Sequence, residues 1–390
     1  MTIKSRPLGL LLLFGLALSY LIATPAHPTT PTLIESDPQL YKAAVLIEPT
    51  TGTLLHADRA HDPIVPASLV KMMVSLIVLE HLRDGRLQLE DQVTVSKWAS
   101  KIGGHQVYLK QGEVFELGEM MKAVVVGSAN DAAVAVAELI GGDQEGFVEL
   151  MNQRAQALQM KNTVYTNPHG LPPGKGQKEN ITTAYDQMLL GRELVKYPQY
   201  LIWSSTLRDT FRNGTFELLN TNRVLLKKMP EMDGLKTGYY RKAGFSVVAT
   251  AKRNNTRLLA AVMGSTKKSV RTQITSRLLT KGFSQYGLIK VLEKGSKLGE
   301  PVSIKNGQQE KVDLQVEEDV ELFLKLSDVK HIEHRFTIPD SITAPVIAGT
   351  VIGTVELQIQ DQILKKVNLL SAQAVEVKTL WEKIRDVFKL

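Results

Sequence analysis

The sequence contains no cysteine, so disulfides, thiol catalysis and cysteine-based metal centres are all excluded. Aromatic residues make up only 6% of the chain, and no arginine-rich stretch is interleaved with them. A nucleic-acid partner is therefore not expected. Histidines are few, and the one close pair, His331 and His334, falls in strand-like sequence, where such pairs are ordinary surface residues. No metal and no cofactor are expected. What remains is a chain of 390 residues, 43% hydrophobic and 22% charged, which is a globular composition. That length exceeds one ordinary core and implies two domains.

Long apolar runs are also scarce. One runs from Leu8 to Ala23 behind Lys4 and Arg6, with the small residues Thr24 and Ala26 after it. This is the layout of a bacterial secretory signal, expected over residues 1–26 with cleavage after Ala26. An uncleaved membrane anchor is the alternative, although about 16 residues is short for a span. Either reading exports the bulk of the protein, to the periplasm or the outer face of the cytoplasmic membrane. The net charge of +7 is mildly basic and suits an anionic envelope surface.

Beyond the Pro/Thr-rich stretch His27 to Pro31, the run Ala43-Ala44-Val45-Leu46-Ile47 reads as a buried strand. A turn at Glu48 to Gly52 and a second strand at Thr53 to His56 complete a hairpin. Pro66 can open a helix in which Val70, Met73, Val74 and Ile77 recur at helical spacing. Leu117 to Ile140 is rich in Ala and Val and predicts packed helices. Phe245 to Thr250 and Arg257 to Met263 read as strands, and Thr272 to Phe283 as a closing helix. The expected first domain, residues 27–286, is thus α/β with an antiparallel sheet flanked by helices. From 287 to 374 the apolar period changes to two, as in Val312, Leu314 and Val316, which predicts a small antiparallel β domain. In the last segment, 375–390, Leu380, Trp381, Ile384, Val387 and Phe388 share one helical face among Lys378, Lys383, Arg385 and Lys389. A basic amphipathic helix of this kind suits a membrane interface; docking on its own β domain is the alternative.

Three short strings carry the chemistry: Ser68-Leu69-Val70-Lys71, Ser128-Ala129-Asn130 and Lys236-Thr237-Gly238. A serine hydroxyl needs a neighbouring base to attack a carbonyl, and a lysine three residues on lies on the same helix face. Lys71 can act only if something depresses its pKa, and Lys236 is a natural second cation for that. Ser128 can relay a proton to the leaving nitrogen. Asn130 can hold Lys71 or bind a substrate amide. Which lysine is neutral stays open at this level. Backbone N–H groups of Ser68 and Tyr239 are the expected oxyanion donors. Each string is common alone; the ordered set, with Asp in the middle string, marks class A β-lactamases and penicillin-binding proteins.

Wider segments extend the likeness: Pro66 to Met72, Ser128 to Ala132, Asn167-Pro168-His169-Gly170-Leu171, Met232 to Gly238 and Ala261-Val262-Met263-Gly264. Through them the chain resembles a low-molecular-mass penicillin-binding protein of the D-alanyl-D-alanine carboxypeptidase family, the S11 serine peptidases (class C, type 5). The resemblance implies a β-lactamase/transpeptidase-like catalytic fold, then the β domain and the amphipathic helix. It implies removal of the terminal D-alanine from peptidoglycan stem pentapeptides ending in D-Ala-D-Ala, through a serine acyl-enzyme, and covalent capture of β-lactam antibiotics. It also implies that Arg271 binds the substrate's terminal carboxylate, which arginine does bidentately. Two positions depart from many relatives: Ala129 stands where glycine is common, and Tyr239 where some carry histidine. The rival enzymes are a β-lactamase, a D,D-endopeptidase of the same family and a catalytically silent scaffold. A class A β-lactamase needs Glu-x-x-Leu-Asn to activate the deacylating water. The nearest string, Glu217-Leu218-Leu219-Asn220, is one residue short.

Overall fold

The computed structural model describes residues 31–388; the expected signal, 1–26, lies outside the described residues. The first hairpin, β1 (Ala43–Ile47) and β2 (Leu54–Asp58), forms one edge of the main sheet. A 3-10 turn, Ala67–Val70, leads into helix α1 (Lys71–Arg83). Two short strands, β3 (Gln92–Thr94) and β4 (Val114–Glu116), pair ahead of α2 (Leu117–Val125) and α3 (Asn130–Gly141). Then come α4 (Gln144–Ala157), α5 (Ala184–Leu194), α6 (Pro198–Ser205), the hairpin β5 (Arg208–Phe211) with β6 (Phe216–Leu219), and α7 (Arg223–Lys228). The chain returns to the sheet as β7 (Met232–Tyr240), β8 (Gly244–Arg253) and β9 (Thr256–Ser265), and α8 (Lys268–Gln285) closes the domain. Strand order is β2-β1-β9-β8-β7, antiparallel throughout.

Both faces of this sheet are covered, which explains why β1 is apolar without alternation. Side chains alternate across a strand. Ala43, Val45 and Ile47 join the core of α1 to α6, whereas Ala44 and Leu46 pack with Ile274, Leu278 and Phe283 of α8. Helix α1 is buried on all sides from Lys71 to Leu79, as an all-round apolar helix must be. It is the central post against which the site is assembled.

The β domain begins with β10 (Tyr286–Leu292) and continues through β11 (Val302–Lys305), β12 (Lys311–Val312), β13 (Leu314–Val316) and β14 (Val320–Lys325). It then adds β15 (Glu333–Thr337), β16 (Ser341–Thr343), β17 (Val351–Ile359) and β18 (Gln362–Ser371). The period-two residues Val302, Val312, Leu314, Val316, Val355 and Leu357 form its core, as the alternation predicts. Strand β15 has no buried residue, so no alternation announces it in the sequence. Residues 375–377 extend the β domain: Val375 pairs with Val346 and Val377 with Gly307. The helix of the tail, α9, spans Leu380–Phe388, with Leu380 and Trp381 exposed. No helix among the described residues is long and apolar enough to cross a membrane.

Candidate active site

The nucleophile turn sits where α1, β7 and the loop after α2 converge. Ser68 is the second residue of the 3-10 turn, and Lys71 opens α1 directly behind it. Two glycines permit the approach of the surrounding backbone. A Cβ on Gly238 would stand 2.6 Å from the Pro66 carbonyl oxygen, so only glycine lets β7 pass the turn. A Cβ on Gly170, whose φ is +78°, would stand 2.1 Å from the Ala67 carbonyl oxygen. Ala67 itself has φ 50° and Ser128 φ 61°, both in the left-handed region that non-glycine residues rarely occupy. Strain of this kind gathers at functional sites because the surroundings over-determine it.

Lys71 is fully buried, and its Nζ lies 3.3 Å from Ser68 Oγ. The same nitrogen donates to Asn130 Oδ1 at 2.7 Å and to the His169 carbonyl at 2.6 Å. A neutral amine has two hydrogens and one lone pair. In that form the two oxygens would take the hydrogens and leave the lone pair for the serine hydroxyl. Burial, and then the nearby Lys236, holds the Lys71 pKa well below the ordinary lysine value, against the opposing charge of Asp131. Asn130 is fixed in turn: its Nδ2 donates to the Gly103 carbonyl and its backbone N–H to His105. The fully buried Asp131 accepts from the backbone N–H groups of Val107 and Leu109 and so anchors the same loop.

Lys236, on β7, is also buried and donates to Ser128 Oγ at 2.7 Å. Burial, and then Arg271, pushes its pKa down to about 7. Next to it, the Thr237 hydroxyl donates to Thr221 Oγ1 at 2.8 Å. The Tyr239 side chain is exposed and stacks on Phe245 with ring centroids 4.0 Å apart. Arg271, on the first turn of α8, is 2% exposed; its Nη1 reaches the Ser246 carbonyl at a long 3.5 Å. Its Nε and Nη2 have no partner among the described residues. Buried donors without acceptors are costly, and here they face a cleft of about 210 Å³ shared with Ser68, Ser128 and Thr237. An anionic ligand group would satisfy them.

All nine sequence-derived site residues lie in or around this one cleft. Sequence reading missed His105, Thr221, Arg223 and Lys268, which also line it. They belong to no motif, and no local signal could have found them. The His169 carbonyl is a direct partner of Lys71, a role that residue order alone does not announce. Thr183 caps α5, and the Asp186 carboxylate accepts from Asn162 N–H and the Thr163 hydroxyl. Glu217 to Asn220 is structural: Asn220 Nδ2 donates to the Ser204 and Thr206 carbonyls. Among the described residues no three His, Asp or Glu side chains are grouped to hold a metal.

A buried Ser–Lys pair, a second lysine on an antiparallel strand and a helix-covered sheet define a serine acyl-transfer enzyme of the active-site-serine, penicillin-interacting type. The chain belongs to the D-alanyl-D-alanine carboxypeptidase family, peptidase S11, whose profile matches residues 32–267. A second profile, the C-terminal domain of penicillin-binding protein 5, matches residues 286–377. The D-alanyl-D-alanine carboxypeptidase DacF of Bacillus subtilis is 35% identical over 83% of this chain and 82% of its own length. Penicillin-binding protein 6B of Escherichia coli superposes with a TM-score of 0.69 at 28% identity, covering 88% of this chain and 98% of that one. The ampicillin-bound penicillin-binding protein D2 of Listeria monocytogenes gives 0.58 at 26% identity, covering 64% of this chain and all of that one.

Proposed function

We propose that this protein is a serine D-Ala-D-Ala carboxypeptidase in which Ser68 is the acyl-ester nucleophile and Lys71 its base. One observation carries the assignment of roles: Lys71 Nζ lies 3.3 Å from Ser68 Oγ while Asn130 Oδ1 and the His169 carbonyl stand ready to take both hydrogens of the neutral amine. Ser68 Oγ attacks the carbonyl of the penultimate D-alanine while Lys71 takes the hydroxyl proton. Backbone N–H groups of Ser68 and Tyr239 hold the oxyanion, a contribution of about 10²–10³ in rate per donor. Ser128, in contact with Lys236, passes a proton to the leaving nitrogen. Arg271, with Lys236 and Thr237, receives the terminal carboxylate. Water then hydrolyses the ester and returns Ser68. A β-lactam follows the same acylation, but its leaving nitrogen stays tethered and the adduct persists.

Mass spectrometry of the protein with penicillin, followed over time, tests this. A stable adduct on wild type and none on Ser68→Ala is expected. Equal labelling of both would overturn the nucleophile assignment, and rapid turnover of the adduct would favour a β-lactamase. Export and peripheral attachment to the outer face of the cytoplasmic membrane belong to the same proposal. The exposed Leu380 and Trp381, beside exposed Lys383 and Arg385, support it. Truncation after Lys378 should release the protein from the membrane fraction; retention would refute the tail's role.

A further inference from the structure

The cleft does not end at Arg271. Lys268 lines both it and a larger open groove of about 770 Å³ between α7 and α8, bordered by Val224, Lys228, Thr272 and Gln273. Arg223, the residue before Val224, lines the cleft. The cations here are Arg223, Lys228, Lys268 and Arg271, and not one carboxylate lines either space. Arg223, Lys228 and Lys268 are exposed, and none forms an ion pair among the described residues. A single leaving D-alanine brings one carboxylate, which Arg271 already receives with Lys236 and Thr237. Its methyl group needs neither a groove nor two further cations.

We infer that the end of the cleft, where it opens into the α7–α8 groove, is a subsite for leaving D-residues whose side chain carries a further carboxylate, recognised by Arg223 of the cleft and by Lys268, which lines both spaces. This rests on the carboxypeptidase reading, which orients Arg271 toward the leaving residue. In the reaction, the Ser68 Oγ–acyl bond forms, the amide C–N bond breaks, and the departing amine takes the proton released by Ser68. Two sources share this chemistry: a single acidic terminal D-residue, or the acidic acceptor peptide of a cross-linked stem. The groove's open end admits either.

The test compares kcat/KM for acyl-peptides ending in D-Ala-D-Glu and D-Ala-D-Gln, isosteres that differ in charge. Wild type should favour the acid about five- to tenfold at low salt, since two exposed ion pairs contribute that much. The preference should shrink at high salt. In Arg223→Gln/Lys268→Gln the ratio should fall toward one, whatever happens to D-Ala release. A ratio near one in wild type, or an unchanged ratio in the double variant, overturns the inference while D-Ala-D-Ala cleavage leaves the carboxypeptidase reading standing. Failure to cleave D-Ala-D-Ala, with no penicillin adduct, overturns both. Cross-linked dimers cut at a rate that falls in the double variant identify the acceptor peptide as the source. Dimers left intact, with the ratio preserved, identify a single acidic residue.

Discussion

The two domains treat polarity in opposite ways. The catalytic domain buries Lys71, Lys236, Arg271, Asn130 and Asp131, all within one neighbourhood. Among the described residues, the β domain buries one polar side chain, Ser371, and keeps its charges at the surface, as in Lys366–Glu356. Burying a cation without a partner is costly, and a fold retains such groups where their perturbed titration does chemistry. Burial of apolar groups alone makes a support. The comparison therefore separates a reacting body from a carrying one, although the two pack through β10, where Leu288 N–H donates to Thr256.

The contrast breaks first at the nucleophile. Ser68→Ala should lose at least about 10⁴-fold in kcat, measured by D-alanine release, because residues acting as a unit fail together. Lys71→Arg should lose about 10²–10⁴-fold, since a guanidinium cannot accept the proton. An active Lys71→Arg would show that another group is the base.

A pH profile sharpens the division of labour between the two lysines. If Lys71 works deprotonated, as proposed, its ionisation sets the acid limb. Lys236, with its pKa near 7, loses its charge as pH rises through that value. If the charge is needed, kcat/KM should fall above about pH 7. Lys236→Arg stays protonated and should abolish that alkaline limb even at a lower overall rate. A limb that survives the substitution belongs to another group.

Arg271→Gln should cost about 10-fold or more in kcat/KM for a substrate with a free terminal carboxylate. It should cost little for the C-terminal amide, because the buried guanidinium then has no anion to meet. Equal losses on both would make Arg271 a packing residue.

The smallest catalytic effect is expected in the β domain. Leu369→Ala, toward the end of β18 and fully buried, should destabilise that domain by about 2–5 kcal/mol. Activity per folded molecule should be retained. A proportional loss of kcat would mean that the two bodies are coupled.

Much of this division was legible in residue order. The double-faced apolar run of β1, the period-two strands around Val312 to Val316 and the apolar stretch around α2 and α3 all behaved as their patterns demand. The hairpins β3–β4 and β5–β6 and the strand β15 were not legible, because short or exposed strands carry little hydrophobic signal.

By itself, the sequence determined the local chemistry. A serine and a lysine three apart must share one face of a turn or helix, and that spacing is covalent geometry. It also determined which residue types were available for each role. Only the tertiary structure decided which groups surround each lysine. Lys71 is held by Asn130, 59 residues away, and by His169, 98 residues away. The burial that lowers its pKa is a property of packed volume around it, and the charge of Lys236 acts through that low-dielectric space. The same holds for the cations at the far end of the cleft. Arg223 and Lys268 are unremarkable in the sequence and gain meaning because α7 and α8 bring them to Arg271 with no carboxylate between.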